Sequence, residues 1–434
     1  MPPFQRYQEQ AMRPSNKKTK KAPPSGRHLG PRPLPLHLAA PMFAWMSLQG
    51  VLLPSRSGWT RWNQNLVPNA EALREGLADV DLQAFRNALD GVASRQFSEM
   101  LAGILTYRRH PYHRTLPEPP IVWRSGAACL YDYGTEATAK AKGVPVLFIP
   151  SLINRSYVLD LSKRTSMLRY LADHGIWPFL IDWGKPGSTE QNFTLTDYIA
   201  GVLEGAFKAT QSLAGKRIAI VGYCMGGLLA LALALRQRKH VPGLALLATP
   251  WDFHATEKGE REGQTAKKAF ESIAPLVDAL GEMPVDVLQS FFLLLNPFQA
   301  AKKFRIFASL DPNSVRAQDF VALEDWVNDG TALAAPVARE CLLGWYGDNT
   351  TARGEWKVAG RKVHPETFDV PSLVCIPSQD YIVSPASARA LAEVLPCAES
   401  RVVSTGHIGM AVGTRAKTEL WQPLAKWLES VYAI

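Results

Sequence analysis

The segment KRIAIVGYCMGGLLA, Lys216 to Ala230, constrains the fold more than any other part of the chain. An apolar run, Ile218 to Val221, enters Gly222-Tyr223-Cys224-Met225-Gly226-Gly227, and a helical run, Leu228 to Leu235, leaves it at once. This is the G-x-S-x-G turn of a nucleophile elbow with cysteine in the serine's place. A strand turning sharply into a helix strains the middle residue, and side chains at the flanking positions would clash. The strained residue then projects alone over a helix N-terminus, where the dipole and unpaired N–H groups favour a thiolate. A buried cysteine in an ordinary strand–helix turn is the plainer alternative. The strand before and the helix after weigh against it.

A chain of 434 residues allows one large α/β domain with additions, or two to three smaller domains, and 47% hydrophobic content suffices for a large core. From Val144 onward apolar strands alternate with helices: Val146 to Ile149, Trp177 to Ile181, Ile218 to Val221, Leu244 to Ala248, Ser372 to Ile376 and Arg401 to Val403. That rhythm implies βαβ units and a parallel sheet. Between residues 255 and 345 strand signals nearly vanish and helices dominate, as a cap inserted over an active-site face would require. The expected organisation is a basic disordered tail at 1–35 and a helical region with a proline-rich linker at 36–120. The sheet domain follows at 121–254, the helical cap at 255–345, and the second part of the sheet domain at 346–434.

Five scattered cysteines, none in a C-x-x-C pair, argue for a reducing, cytoplasmic setting and against disulfides or a zinc site. The net charge of +9 is concentrated in residues 1–35, which hold eight Lys or Arg against one acid. Such an arm suits anionic partners in general. A solubilising role is simpler, and no specific nucleic-acid partner is expected. Leu36 to Leu53 is interrupted by His37, Pro41, Ser47 and Gln49, whereas a spanning helix needs about twenty mostly apolar residues. It reads instead as a docked or interfacial helix starting after Pro41, with an apolar surface for the main domain, a partner or a hydrophobic particle.

A thiol nucleophile needs a base, and the base needs an orienting acid. In an elbow fold the chain order is nucleophile, acid, histidine. Of nine histidines, His407 alone stands in the required place, within Ser404-Thr-Gly-His-Ile-Gly-Met410 after the last strand. Asp380 follows the preceding strand directly; Asp348, Asp369 and Asp252 are less direct alternatives, and Asp380 could also be a simple turn residue. The oxyanion hole should combine the backbone N–H of Met225 with one from the loop after Ile149, between Leu152 and Asn154, placed here at Ile153. Asn154 is expected either to touch substrate or to tie that loop down.

Several segments together resemble the polyhydroxyalkanoate synthase family of α/β-hydrolase fold proteins. They run, in order, Ser151 to Leu161 (SLINRSYVLDL), Leu180 to Gly184 (LIDWG), Thr194 to Ile199 (TLTDYI) and Gly222 to Gly227 (GYCMGG). Then come Ala248 to Phe253 (ATPWDF), Trp326 to Gly330 (WVNDG), Ser378 to Pro385 (SQDYIVSP) and Gly406 to Gly409 (GHIG). Each piece alone is weak, but the ordered set is specific, and it covers the chain from about Ala128 onward. Residues 345–363 look most like the shorter synthases that work with a partner subunit.

The resemblance implies an α/β-hydrolase sheet with helices on both faces, an inserted helical cap and a helical N-terminal extension. It also implies that Cys224 is the nucleophile, Asp380 the acid and His407 the base. The implied substrate is a hydroxyacyl-CoA thioester, polymerised into a polyester with release of CoA and with no further cofactor or metal. The implied partners are a second copy or a second subunit, and the surface of a polymer granule. The chain departs from the family pattern at Met225 and at Tyr381, where the family has Asp-His and this chain Asp380-Tyr381. These departures leave open an alternative, a cysteine hydrolase of esters or thioesters such as a polymer depolymerase or acyl-CoA thioesterase.

Overall fold

The computed structural model describes residues 28–56, 61–136 and 143–433, so the basic tail expected over 1–35 lies largely outside the described residues. The chain forms two compact units. One takes in Arg114–Leu288 and Asp329–Ile434, the other the described part of Ala22–His113 with Gln289–Asn328.

The first unit is built on an eight-stranded sheet: β1 (Ile121–Ser125), β2 (Ala128–Asp132), β3 (Val144–Ile149), β4 (Ile176–Asp182), β5 (Ala219–Tyr223), β6 (Leu244–Leu247), β7 (Ser372–Pro377) and β8 (Ala398–Val403). Its spatial order is β1-β2-β4-β3-β5-β6-β7-β8. The pairs from β4 through β3, β5, β6 and β7 to β8 are parallel, and β1–β2 and β2–β4 are antiparallel. Strands covered on both faces read as unbroken apolar runs. The five residues of β5 and the four of β6 are all buried. By contrast β8, at the sheet edge, carries Glu399 and Arg401 outward, as edge strands that must avoid mispairing do. Ile149 pairs with Gly222, and Tyr223 with Leu247. The C-terminal ends of the central strands therefore finish side by side, where open α/β sheets place their sites.

The elbow helix Met225–Arg236 is buried from Met225 through Ala234, the signature of a helix enclosed all round. Before β5 a wide π-type turn, Asp197–Leu203, runs into the helix Glu204–Ala214, which ends at Gly215 in the left-handed region.

The second unit is helical, with Leu34–Arg56, Val67–Gly76, Leu82–Arg108, Gln299–Ala308 and Val315–Asn328. Met100, Ile104 and Tyr107 bury themselves against Ala300, Phe304, Phe307, Ala317 and Val321. The Tyr107 hydroxyl donates to Asp325 at 2.8 Å, and His28 Nδ1 lies 2.7 Å from the same carboxylate oxygen. Two expectations change here. The first helix starts at Leu34 and runs through Pro41 rather than starting after it. The insertion expected as one cap over 255–345 is divided. Gly259–Leu280 and Ala335–Gly347 belong with the sheet, whereas 289–328 packs with the N-terminal helices, because the apolar faces of the two helical segments complete one core. No helix among the described residues is long and apolar enough to cross a membrane.

Candidate active site

Cys224 is the single residue between β5 and the elbow helix, with φ 57° and ψ −130°. A non-glycine residue in that region is strained and persists only where its surroundings over-determine it. They do so here. The Cys224 N–H donates to Leu247 O at 2.8 Å, and its carbonyl accepts from Gly227 N at 2.9 Å. A Cβ at Gly222 would strike Gly227 Cα, and one at Gly226 would strike the carbonyl oxygens of Ile149 and Pro150. The glycines of the motif are thus positions where helix and strand backbones touch.

The structure brings the expected base and acid together with this thiol. His407 opens the short helix His407–Val412 after β8. Its Nδ1 lies 2.6 Å from Asp380 Oδ2, and its ring also hydrogen-bonds Cys224, which the remaining nitrogen must serve. Asp380 sits in the turn after β7, where its Oδ1 accepts the N–H groups of Ile382 at 2.8 Å and Val383 at 2.9 Å. Those two amides fix the carboxylate, so the carboxylate can fix the tautomer and plane of the ring. Asp380 and His407 are both buried. Burial opposes a charge on His407. It is outweighed by the charge of Cys224, by the hydrogen bonds to Asp380 and Cys224, and by the carboxylate charge, which together push the imidazole up to about 10.

The alternative acids are engaged elsewhere. Asp348 pairs with Lys267 at 2.7 Å, Asp369 pairs with Arg238, and Asp252 accepts from His254 N and Asn349 Nδ2 at 2.8 Å each.

The oxyanion loop departs from expectation. Met225 is the first residue of the elbow helix, so its N–H is one of the four with no acceptor inside the helix. The N–H of Ile153, however, donates to Ser151 Oγ at 3.2 Å, and its carbonyl accepts from Thr331 N at 2.7 Å. A short serine turn has taken the amide assigned to the reaction. Asn154 pairs with Gly330 in an isolated antiparallel bridge, the loop-tying role. Sequence reasoning missed two tyrosines. The Tyr223 hydroxyl donates to the His407 carbonyl at 3.2 Å, with the two rings 5.4 Å apart, and it is the residue just before the nucleophile in the motif. The protein atoms crowded around its hydroxyl, with the charges of Cys224, Cys341 and Asp380, keep Tyr346 protonated although the residue is 37% exposed, so it lies in the electrostatic field of the site; nothing in its local sequence signalled this.

Residues 144–414 match the α/β hydrolase fold family. A poly(3-hydroxyalkanoate) polymerase subunit PhaC of Synechocystis sp. is 31% identical over 292 residues, 66% of this chain and 77% of that protein. This chain belongs to the poly(3-hydroxyalkanoate) polymerase family of α/β-hydrolase fold proteins. Subunits of the same name from Haloarcula marismortui and Haloferax mediterranei are 29% and 28% identical, each over 71% of this chain. The alignments span 66% and 63% of those two haloarchaeal relatives, just under two thirds of their length. Of the two departures from the polymerase pattern, Tyr381 is 74% exposed, so its ring stands in solvent rather than against the buried Asp380, while Met225 is buried.

Proposed function

We propose that this chain is an acyltransferase that polymerises 3-hydroxyacyl groups from CoA thioesters through a thioester on Cys224. The observation that carries the reading is the buried Asp380–His407 pair hydrogen-bonded to a cysteine on a strained elbow. The names of the relatives, poly(3-hydroxyalkanoate) polymerase subunits, support the choice of substrate. The Cys224 sulfur adds to the thioester carbonyl, and the negative oxygen that forms is met by the Met225 N–H and a loop amide, Ser151 or Leu152 now that Ile153 is engaged. Collapse breaks the carbon–sulfur bond to CoA, and the CoA sulfur leaves with the proton held by His407. The neutral imidazole then takes the proton of a chain hydroxyl, whose oxygen attacks the Cys224 thioester. The polymer gains one ester bond and the thiol is restored. Thioester exchange keeps the acyl group activated between the two steps.

In this reading CoA is part of the substrate, and the chemistry calls for no further cofactor. The chain works in the cytoplasm, at the surface of its growing polyester, as a homodimer or with a second subunit, a partnership suggested by the word subunit in the relatives' names. The exposed Met42, Phe43, Met46 and Leu48 of the first helix supply apolar surface for a polymer.

The test is to supply the chain with 3-hydroxybutyryl-CoA, following CoA thiol and both products. Polymer with CoA supports the reading; free acid with CoA moves the assignment to a hydrolase; no CoA release refutes acyl transfer from CoA. Cys224→Ala should abolish the activity, and full retention would remove Cys224 from the mechanism.

A further inference from the structure

The loop after β3 is held by groups that the acyl-transfer reading does not use. At its start the indole Nε1–H of Trp183 donates to the Pro150 carbonyl at 3.0 Å, in a buried setting. Trp183 follows β4 directly, and its ring meets Tyr198 edge to face at 5.7 Å and 87°. Further along, the Thr331 N–H donates to Ile153 O and Gly330 pairs with Asn154. The Pro150 carbonyl also lies against the elbow, since a Cβ at Gly226 would run into it. It is therefore confined by the first turn of the elbow helix and directed by the indole. A peptide unit is planar, so fixing the Pro150 oxygen fixes the Ser151 N–H across the same bond.

We propose that Trp183 is a positioning residue for the oxyanion hole: its indole N–H sets the Pro150–Ser151 peptide, and through it the Ser151 and Leu152 amides beside Cys224. This inference rests on the acyl-transfer reading. A buried indole usually finds some acceptor, but this one has found the carbonyl that begins the loop facing the nucleophile. Its loss would leave that carbonyl without its indole donor, and the loop free to move relative to Cys224.

The experiment compares two reactions of the same sulfur. Alkylation of Cys224 by iodoacetamide builds no oxyanion; acyl transfer does. Trp183→Phe keeps an aromatic ring and removes the donor. Release of CoA from 3-hydroxybutyryl-CoA should slow about 10- to 100-fold through kcat, the range expected when a transition-state donor is misplaced rather than deleted. KM should stay within about threefold, and alkylation within about twofold, because neither depends on the oxyanion donors. Unchanged CoA release, or an equal fall in alkylation and CoA release, would overturn the proposal. Should Trp183→Phe fail to fold, 3-benzothienylalanine at position 183 keeps the bicyclic shape with sulfur in place of N–H, and the same comparison decides. A parent protein that releases no CoA at all sinks the acyl-transfer reading itself. A parent that is active and matched by its variant sinks only the role of Trp183.

Discussion

The elbow helix Met225–Arg236 and the first helix Leu34–Arg56 are both written largely in apolar residues, yet they meet opposite surroundings. Leu228, Leu229, Leu231 and Leu233 are wholly buried, while Phe43 and Met46 are 67% and 61% exposed. Apolar content therefore did not decide which helix became core. What decided it was the neighbourhood: the elbow helix is entered from a central parallel strand through glycines that let backbones touch, so it cannot leave the sheet. The first helix follows a proline-rich segment, and among the described residues no strand leads into it. Strain accordingly sits at the half-buried Cys224 and burial in the helix that follows it, whereas exposed apolar surface lies on the first helix.

The largest effects should come from the strained end of that comparison. Asp380→Asn leaves the ring in place but offers an amide where a carboxylate held the tautomer, and should cut turnover about 10³- to 10⁴-fold, as removal of the orienting acid does in other triads. His407→Gln should cost at least as much. Rates within tenfold of the parent for either variant would show that another group serves Cys224.

Stability against pH gives the next effect. The proton on His407 is held up to about 10 in the fold, against roughly 6.5 for a free imidazole. A raised folded value means the proton stabilises the fold. That contribution is present in full below about pH 6.5 and is lost as pH rises through about 10. The stability gap between the parent and His407→Gln, read by denaturant midpoints, should therefore be widest near pH 6. It should narrow by more than about 1 kcal/mol, roughly the worth of a single pKa unit, by pH 10. A gap that widens with pH would reverse the assignment of charge in the site.

Much of the site was legible because its chemistry is tied to strand ends. The glycines around Cys224, and the acid and histidine after the last two strands, follow from chain order alone. Ile153 was not legible as an engaged amide, since a serine hydroxyl two residues earlier decides it, and such local turns leave no periodic trace. Nor was the division of the 255–345 helices. Tyr107 and Asp325 lie 218 residues apart in sequence, and amphipathic patterns state that a face is buried without naming what buries it. The start of the first helix was hidden by Pro41, which removes one hydrogen bond but did not end the helix.

The smallest effects should come from paired substitutions on the two helices. Leu229→Ala empties a wholly buried site and should cost about 2–5 kcal/mol. Phe43→Ser with Met46→Ser changes only exposed side chains, so stability should stay within about 0.5 kcal/mol for each. CoA release from a soluble substrate should also be unchanged, because neither residue takes part in the site built around Cys224. The fraction of protein that sediments with polyester particles should nevertheless fall, since partition onto an apolar surface scales with the apolar area offered. A loss of stability like that of Leu229→Ala would mean that Phe43 and Met46 are core after all. Unchanged stability with unchanged sedimentation would remove the first helix from polymer binding and leave its exposed apolar surface to another partner.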